Sequence, residues 1–408
     1  MKNMLILLTL FTFLLACEFS TDPDKKEVCL NLSGLQKELA ATDNVFTFNL
    51  FNKLSLEEEG NLFISPLSVS MALGMVYNGA VGDTKTEIAQ MLGLSGHSDQ
   101  EINEYYHKMI TLLPKLDDQV KLEIANSIWV REGFSVEPEF LNINIAYFHA
   151  EIDNLDFSQT EAAEVINDWV AEATHNKIET IIDEIPGDVI MYLINALYFK
   201  GDWTRKFKKS STFEDNFYCQ SGSTKRIDMM YQKENFNYAE NDQFQLIDLP
   251  YSNEKFSLTI ILPKVGHNLT DLNRSLTVSD WYNYLSNAGK KEVELYLPKF
   301  ELEYKRELSQ ILHSMGMKSA FEGMLSDFTG INAETGRNLV IDEVMHKTYL
   351  KIDEEGSEAA AVTSVGMRIT SVMPDEIVMK IDRPFLLAIR ERENGTILFI
   401  GKITDLEK

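Results

Sequence analysis

Residues 354–384 read EEGSEAAAVTSVGMRITSVMPDEIVMKIDRP, and the fold turns on how this stretch is taken. It opens with two carboxylates and Gly356, passes through small residues and closes in a polar run bearing Pro374, the composition of a long exposed loop. It also alternates as a strand does. Ser357, Ala359, Ala361, Thr363, Val365, Met367 and Ile369 form one uncharged set of increasing size, while Glu358 and Arg368 fall in the other. A period of two from Ser357 to Ile369 is what a segment needs when one of its faces is to be buried in a sheet. The stretch is written for two states, one exposed and one paired.

The rest of the chain is able to supply that sheet. With 408 residues, 44% of them hydrophobic and 23 of them Phe, it can bury a large core. A net charge of −25 argues against nucleic acid or an anionic membrane as partner, because phosphate binding needs a basic footprint. The acidity reads as solubility. There is no CxxC, HExxH or GxGxxG, the seven His are scattered singly, and Gly93-Leu94-Ser95-Gly96 misses the spacing of a nucleophile elbow. These absences lower the case for an enzyme and leave open only a triad assembled from distant residues.

The first residues, MKNMLILLTLFTFLLAC, are a processing signal: Lys2, then an apolar run too short and too early to span a membrane. The ending Leu14-Leu15-Ala16-Cys17 resembles the lipobox of bacterial lipoproteins, which implies cleavage before Cys17 and lipid on its thiol; an ordinary secretory peptide cut nearby is the alternative. Residues 1–17 are thus expected to be a signal peptide, 18–34 a flexible tether, and 35–408 one folded domain on the cell envelope. Cys29 and Cys219 could pair in an oxidising compartment, but residues so far apart more often stay separate.

Along the body, Leu35–Leu54 carries apolar residues at helical spacing. Asn61–Ile64 reads as a short strand feeding a helix, with Ser65 as N-cap, Pro66 as first helical residue and Gly79 as the stop. Thr84–Leu92, closed by Gly93, and Glu164–Ala173 are further helices. Lys121–Val130, Gln245–Leu249, Phe256–Leu262 and Val293–Tyr304 read as strands. Met191–Lys200 is a nearly continuous apolar run, which fits a strand buried on both faces in the middle of a large sheet. Phe385–Arg390 and Thr396–Lys402 flank Asn394-Gly395, the signature of a two-residue hairpin turn with both residues at positive φ. Interleaved helices and strands without a Pro-, Gly- or Ser-rich linker make one α+β domain.

Several separated stretches now agree in order with one family. Phe63-Ile64-Ser65-Pro66-Leu67-Ser68, Leu193 to Trp203 (LINALYFKGDW), Leu297-Pro298-Lys299-Phe300, His346 through Gly356, and Arg383-Pro384-Phe385 with Leu398-Phe399-Ile400-Gly401 resemble the serpins, from Leu35 to the end. With the lipobox, the chain is similar to bacterial lipoprotein serpins. The resemblance implies a large, mostly antiparallel central sheet, further sheets, eight or nine helices and an exposed reactive-centre loop over about 354–383. It implies no enzyme but a suicide inhibitor of serine and, as a second class, papain-like cysteine endopeptidases. The cut loop would enter the main sheet as a new strand and carry the acyl-enzyme with it.

Carried over residue by residue, the resemblance makes Glu354, Gly356, Ser357, Glu358, Ala359, Ala360, Ala361, Val362 and Thr363 the hinge. Trp203, Lys299 and Glu354 match the breach, where the loop first enters the sheet. Ser65, Ser68, Asn195 and His346 match the shutter beneath the central strands, where His346 would hydrogen-bond and do no chemistry. Counting as the family does puts the scissile bond at Thr370-Ser371; Arg368-Ile369 offers a trypsin-like site, and Met367-Arg368 or Ile369-Thr370 would suit proteases that take apolar side chains. Arg368 is favoured, which makes trypsin-like enzymes the expected partners and elastase-like ones the second choice, met by a monomer. No cofactor is expected: the surface where other serpins take heparin offers only His107, Lys108 and Lys115. A non-inhibitory serpin acting as a binding protein and an exported nutrient-binding lipoprotein are the competing readings. The small-residue hinge weighs against the first and the missing catalytic motifs against the second.

Overall fold

The computed structural model describes residues 28–357 and 376–406. Among them the helices are α1 Gly34–Glu57, α2 Pro66–Tyr77, α3 Gly82–Leu92, α4 Asp99–Leu112, α5 Pro138–Phe148, α6 Glu161–Ala173, α7 Leu269–Ser275, α8 Val278–Asn287 and α9 Ser309–Ser314. The strands are β1 Leu62–Ile64, β2 Val120–Arg131, β3 Glu151–Leu155, β4 Met191–Asp202, β5 Phe213–Tyr218, β6 Thr224–Glu240, β7 Phe244–Tyr251 and β8 Phe256–Pro263. They continue with β9 Gly289–Pro298, β10 Phe300–Glu307, β11 Met345–Ile352, β12 Gly356–Ser357, β13 Ile377–Lys380, β14 Phe385–Glu391 and β15 Ile397–Ile403.

The local signals place the helix ends well. Ser33 caps α1 through a reciprocal pair with Gln36. Ser65 caps α2 with Pro66 as its first residue, and Gly93 closes α3 at φ 71°. Gly79 has a second reason to be glycine: a Cβ there would lie 2.3 Å from the Ile331 side chain.

Three sheets carry the strands. Nine strands form the largest, in the order β1-β15-β14-β8-β7-β6-β9-β13 with β5 on β6, antiparallel except where β13 runs parallel to β9. A four-stranded sheet runs β12-β4-β2-β3, and β10 pairs with β11 alone. The buried interiors of β8, β14 and β15 and α2, buried at every position but Ala72, make the centre of the core. A second cluster, with Trp129, Ile166, Val170 and Ile194, seats α6 across β2 and β4.

Four expectations need correction. The run Val293–Tyr304 is two strands in different sheets, because the chain turns at Lys299, whose N–H goes to Asp228 O at 2.8 Å, just after Pro298, which has no N–H to offer a ladder. The Asn394-Gly395 turn is a five-residue connection in which only Gly395 has positive φ, at 77°. The buried Glu391 carboxylate takes the N–H groups of Glu393 and Asn394 and so organises the longer loop. The tether cannot reach residue 34, since Leu30 and Leu32 are buried in the core. Finally, β4 is only half-buried along much of its length: α6 covers part of one face, and its long edge beyond Gly201 has no described strand beside it. Cys29 and Cys219 form no disulfide.

Candidate functional site

The site begins where β11 ends. Asp353 Oδ1 accepts the N–H groups of Glu355 at 2.9 Å and Gly356 at 3.3 Å, and the Asp353 N–H reaches Gly356 O at 2.9 Å. This Asx-type turn swings the chain away from β11 and onto β4. Gly356 then pairs with Asp202 and Ser357 with Gly201, antiparallel. The approach is so close that a Cβ on Gly356 would sit 2.1 Å from Gly201 O. On the other side a Cβ on Gly201 would lie 3.0 Å from the Tyr251 ring. Ser357, buried, shares a 2.9 Å hydrogen bond with the Tyr251 hydroxyl. Gly356 and Ser357 are thus a two-residue rung on β4. Glu358, Ala359, Ala360, Ala361, Val362 and Thr363 lie outside the described residues, as do Met367, Arg368, Ile369, Thr370 and Ser371.

Trp203, Lys299 and Glu354 meet around this rung. Trp203 is buried, stacks on Tyr251 with ring centroids 4.7 Å apart, and donates its indole N–H to Asp353 O at 2.9 Å. Its backbone N–H reaches Glu355 O at 2.8 Å, while that of Phe207 reaches Glu354 O at 2.9 Å. The Glu354 carboxylate is held by Lys299 at 3.0 Å and Thr212 at 2.8 Å. Burial pushes this carboxyl up, but its own backbone N–H, Lys299 and Thr212 together outweigh burial and bring it below the usual range. Lys299 is half-exposed and Glu354 almost wholly enclosed, so Lys299→Met is expected to strand a buried carboxylate at a cost of about 1–3 kcal/mol. Thermal unfolding at pH 7.5 checks this; an unchanged midpoint would show that Thr212 and the backbone suffice.

Deeper down, Ser65, Ser68, Asn195 and His346 are brought close together. The Ser65 N–H donates to His346 Nε2 at 3.0 Å, so the imidazole is neutral at that nitrogen, and burial lowers its pKa to about 4. Ser65 Oγ donates to Leu398 O at 2.8 Å, and Ser68 Oγ reaches Asn195 O at 3.4 Å. The Asn195 side chain donates to Asn126 Oδ1 at 2.7 Å, and Asn126 in turn donates to Phe148 O at 2.7 Å. The first turn of α2 therefore touches β11 through His346 and β4 through Asn195. Between these strands the backbone edges are not joined among the described residues except through β12. A narrow cleft lined by Phe199, Tyr349, Leu350, Lys351 and Ser357 continues below the rung. The arrangement is a sheet parted along one line, with a segment already seated at its top and a hydrogen-bonded latch beneath.

Sequence reasoning missed four contributors. Asp353 had a signal, an Asp two residues before the N–H groups it takes, ahead of a Gly. Tyr251, Thr212 and Asn126 had none, because each meets the site from a remote part of the chain.

Comparison with known proteins agrees with this geometry. The family model described as "Serpin (serine protease inhibitor)" matches residues 41–406. An uncharacterized serpin-like protein of Thermococcus kodakarensis is 35% identical over 94% of this chain and 89% of its own length. Among solved structures, the thermophilic serpin tengpin in its native state is 33% identical, with a TM-score of 0.83 over 92% of this chain and 95% of that one. A thyroxine-binding globulin complex with thyroxine, 28% identical, also gives 0.83, over 91% and 100%. The chain belongs to the serpin family.

Proposed function

We propose that the protein is a suicide-substrate inhibitor of serine endopeptidases, and of papain-like cysteine endopeptidases as a second class, which traps the acyl-enzyme by inserting its cut loop between β4 and β11. The observation that carries this reading is the Gly356–Ser357 rung on β4, which starts a strand whose continuation, Ser357 to Ile369, alternates with an uncharged face. From Ser357 to Arg368 such a strand would span roughly 40 Å. Trypsin-like enzymes cutting after Arg368 are the first expected targets and elastase-like enzymes the second. The protein acts as a monomer, tethered to the cell envelope, at the outer membrane or surface, through lipid on Cys17; residues 1–27 lie outside the described residues. The likeness to thyroxine-binding globulin supports a second reading, a non-inhibitory binding protein, against which the small residues Ala359, Ala360 and Ala361 weigh.

Mixing the protein with trypsin-like and elastase-like proteases should yield an SDS-stable covalent complex. Finding only cleaved loop and active protease would defeat the inhibitor reading and favour the binding protein. Thr363→Arg places a charge on the face to be buried, and is expected to turn the inhibitor into a substrate while leaving the rate of loop cleavage nearly unchanged. Undiminished complex formation by that variant would refute the alternation argument.

A further inference from the structure

We propose that His107 and His149 together hold a divalent late first-row transition-metal ion, through one nitrogen of each ring, on the face shared by α4 and the end of α5. His149 caps α5 in the left-handed region at φ 53°, a conformation disfavoured for a non-glycine residue. It is exposed, and its ring meets that of His107 on α4 with centroids 5.0 Å apart and planes at 80°. Two imidazoles sharing a tetrahedral ion at metal–nitrogen distances of about 2.0–2.1 Å put their ring centres about 5 Å apart. The edge of the Tyr147 ring system brackets His107 at 6.3 Å.

His107 Nδ1 is enclosed without a hydrogen-bond partner among the described residues, and so is Thr111 Oγ1, one turn further along the same face of α4. An orphaned buried polar atom of this kind is unfavourable, and an ion with its bound water relieves it. The donor set is nitrogen without carboxylate, which suits zinc, nickel or copper and not magnesium or calcium. Water fills the remaining positions, reached from the exposed side of His149. Because the ion would tie α4 to the end of α5, occupancy stabilises the folded chain by mass action, whether or not the protein inhibits proteases.

The test is calorimetric titration of the tag-free full chain with zinc chloride and, in parallel, with magnesium chloride, together with the melting midpoint in each. The expected result is one zinc ion per chain and a raised midpoint, with no effect of magnesium. His149→Gln, a change at an exposed position, should weaken zinc binding by about tenfold or more and remove the stabilisation, and His107→Gln should do the same. No zinc binding up to about 1 mM would overturn the proposal. So would zinc binding to His149→Gln as tight as to the parent, since the ion would then sit elsewhere.

Discussion

Gly356→Ala is expected to abolish trapping while leaving a chain that proteases still cut. The Cβ would fall 2.1 Å from Gly201 O, a backbone atom flanked by β2 and β12, and no rotamer change can relieve a contact of that kind. Either the rung on β4 is lost or β4 itself moves, and β4 is pinned by its eleven-residue register with β2 from Val120↔Gly201 to Val130↔Met191. Losing the rung removes the two paired positions from which insertion would propagate, along with the Ser357–Tyr251 hydrogen bond. The stoichiometry of inhibition should rise by about tenfold or more, a difference of about 1.4 kcal/mol or more between the trapping and hydrolytic branches. SDS gels quantifying complex against cleaved inhibitor measure this, and equal partition in variant and parent would mean that the rung plays no part.

The second large effect is on pH dependence. His346 is buried, and its pKa falls from the ordinary 6.5 to about 4. The unfolded chain takes up a proton near 6.5 and the folded chain only near 4, so this contribution is complete above 6.5 and is lost as pH falls from there toward 4. At about 1.4 kcal/mol per unit, acidification from pH 6.5 to 5 removes about 2 kcal/mol. Asp43 works the other way. Burial, offset in part by hydrogen bonds from Tyr105 and Ser70, raises its carboxyl to about 6, so it gains stability as pH falls below that value. The parent profile is therefore a sum, and the comparison that isolates His346 is with His346→Asn. The variant is expected to be less stable at pH 7.5 but to lose about 2 kcal/mol less than the parent on going to pH 5. Parallel profiles for the two proteins would remove His346 from the latch.

Where the sequence was legible, the deciding interactions were local or periodic. Ser65-Pro66 announces the start of α2, Gly93 the end of α3, and the apolar spacing of Leu35–Leu54 the body of α1, because each depends on neighbours a few positions away. The shutter and breach needed the family resemblance, since nothing near His346 says that its partner is the N–H of Ser65, 281 positions earlier. The errors share a cause. The break at Lys299 and the burial of Leu30 are set by remote groups, Asp228 and the hydrophobic surface that receives the segment before α1, while the loop after Glu391 is set by a neighbouring carboxylate that only the surrounding core fixes in place.

The pairing of β1 with β15 has a consequence for how the molecule comes into being. Leu62 lies opposite Lys402 and Ile64 opposite Ile400, and Asn44 of α1 bonds Gly395 O and Ile397 N–H. The first strand and the first helix are thus completed by residues about 350 positions further along the chain. A chain emerging N-terminus first can form its early helices but cannot close this seam until β14 and β15 have emerged, so its long wait is spent with apolar strand edges uncovered. Closure of the core is deferred to that hairpin, which makes it the timing element of the domain.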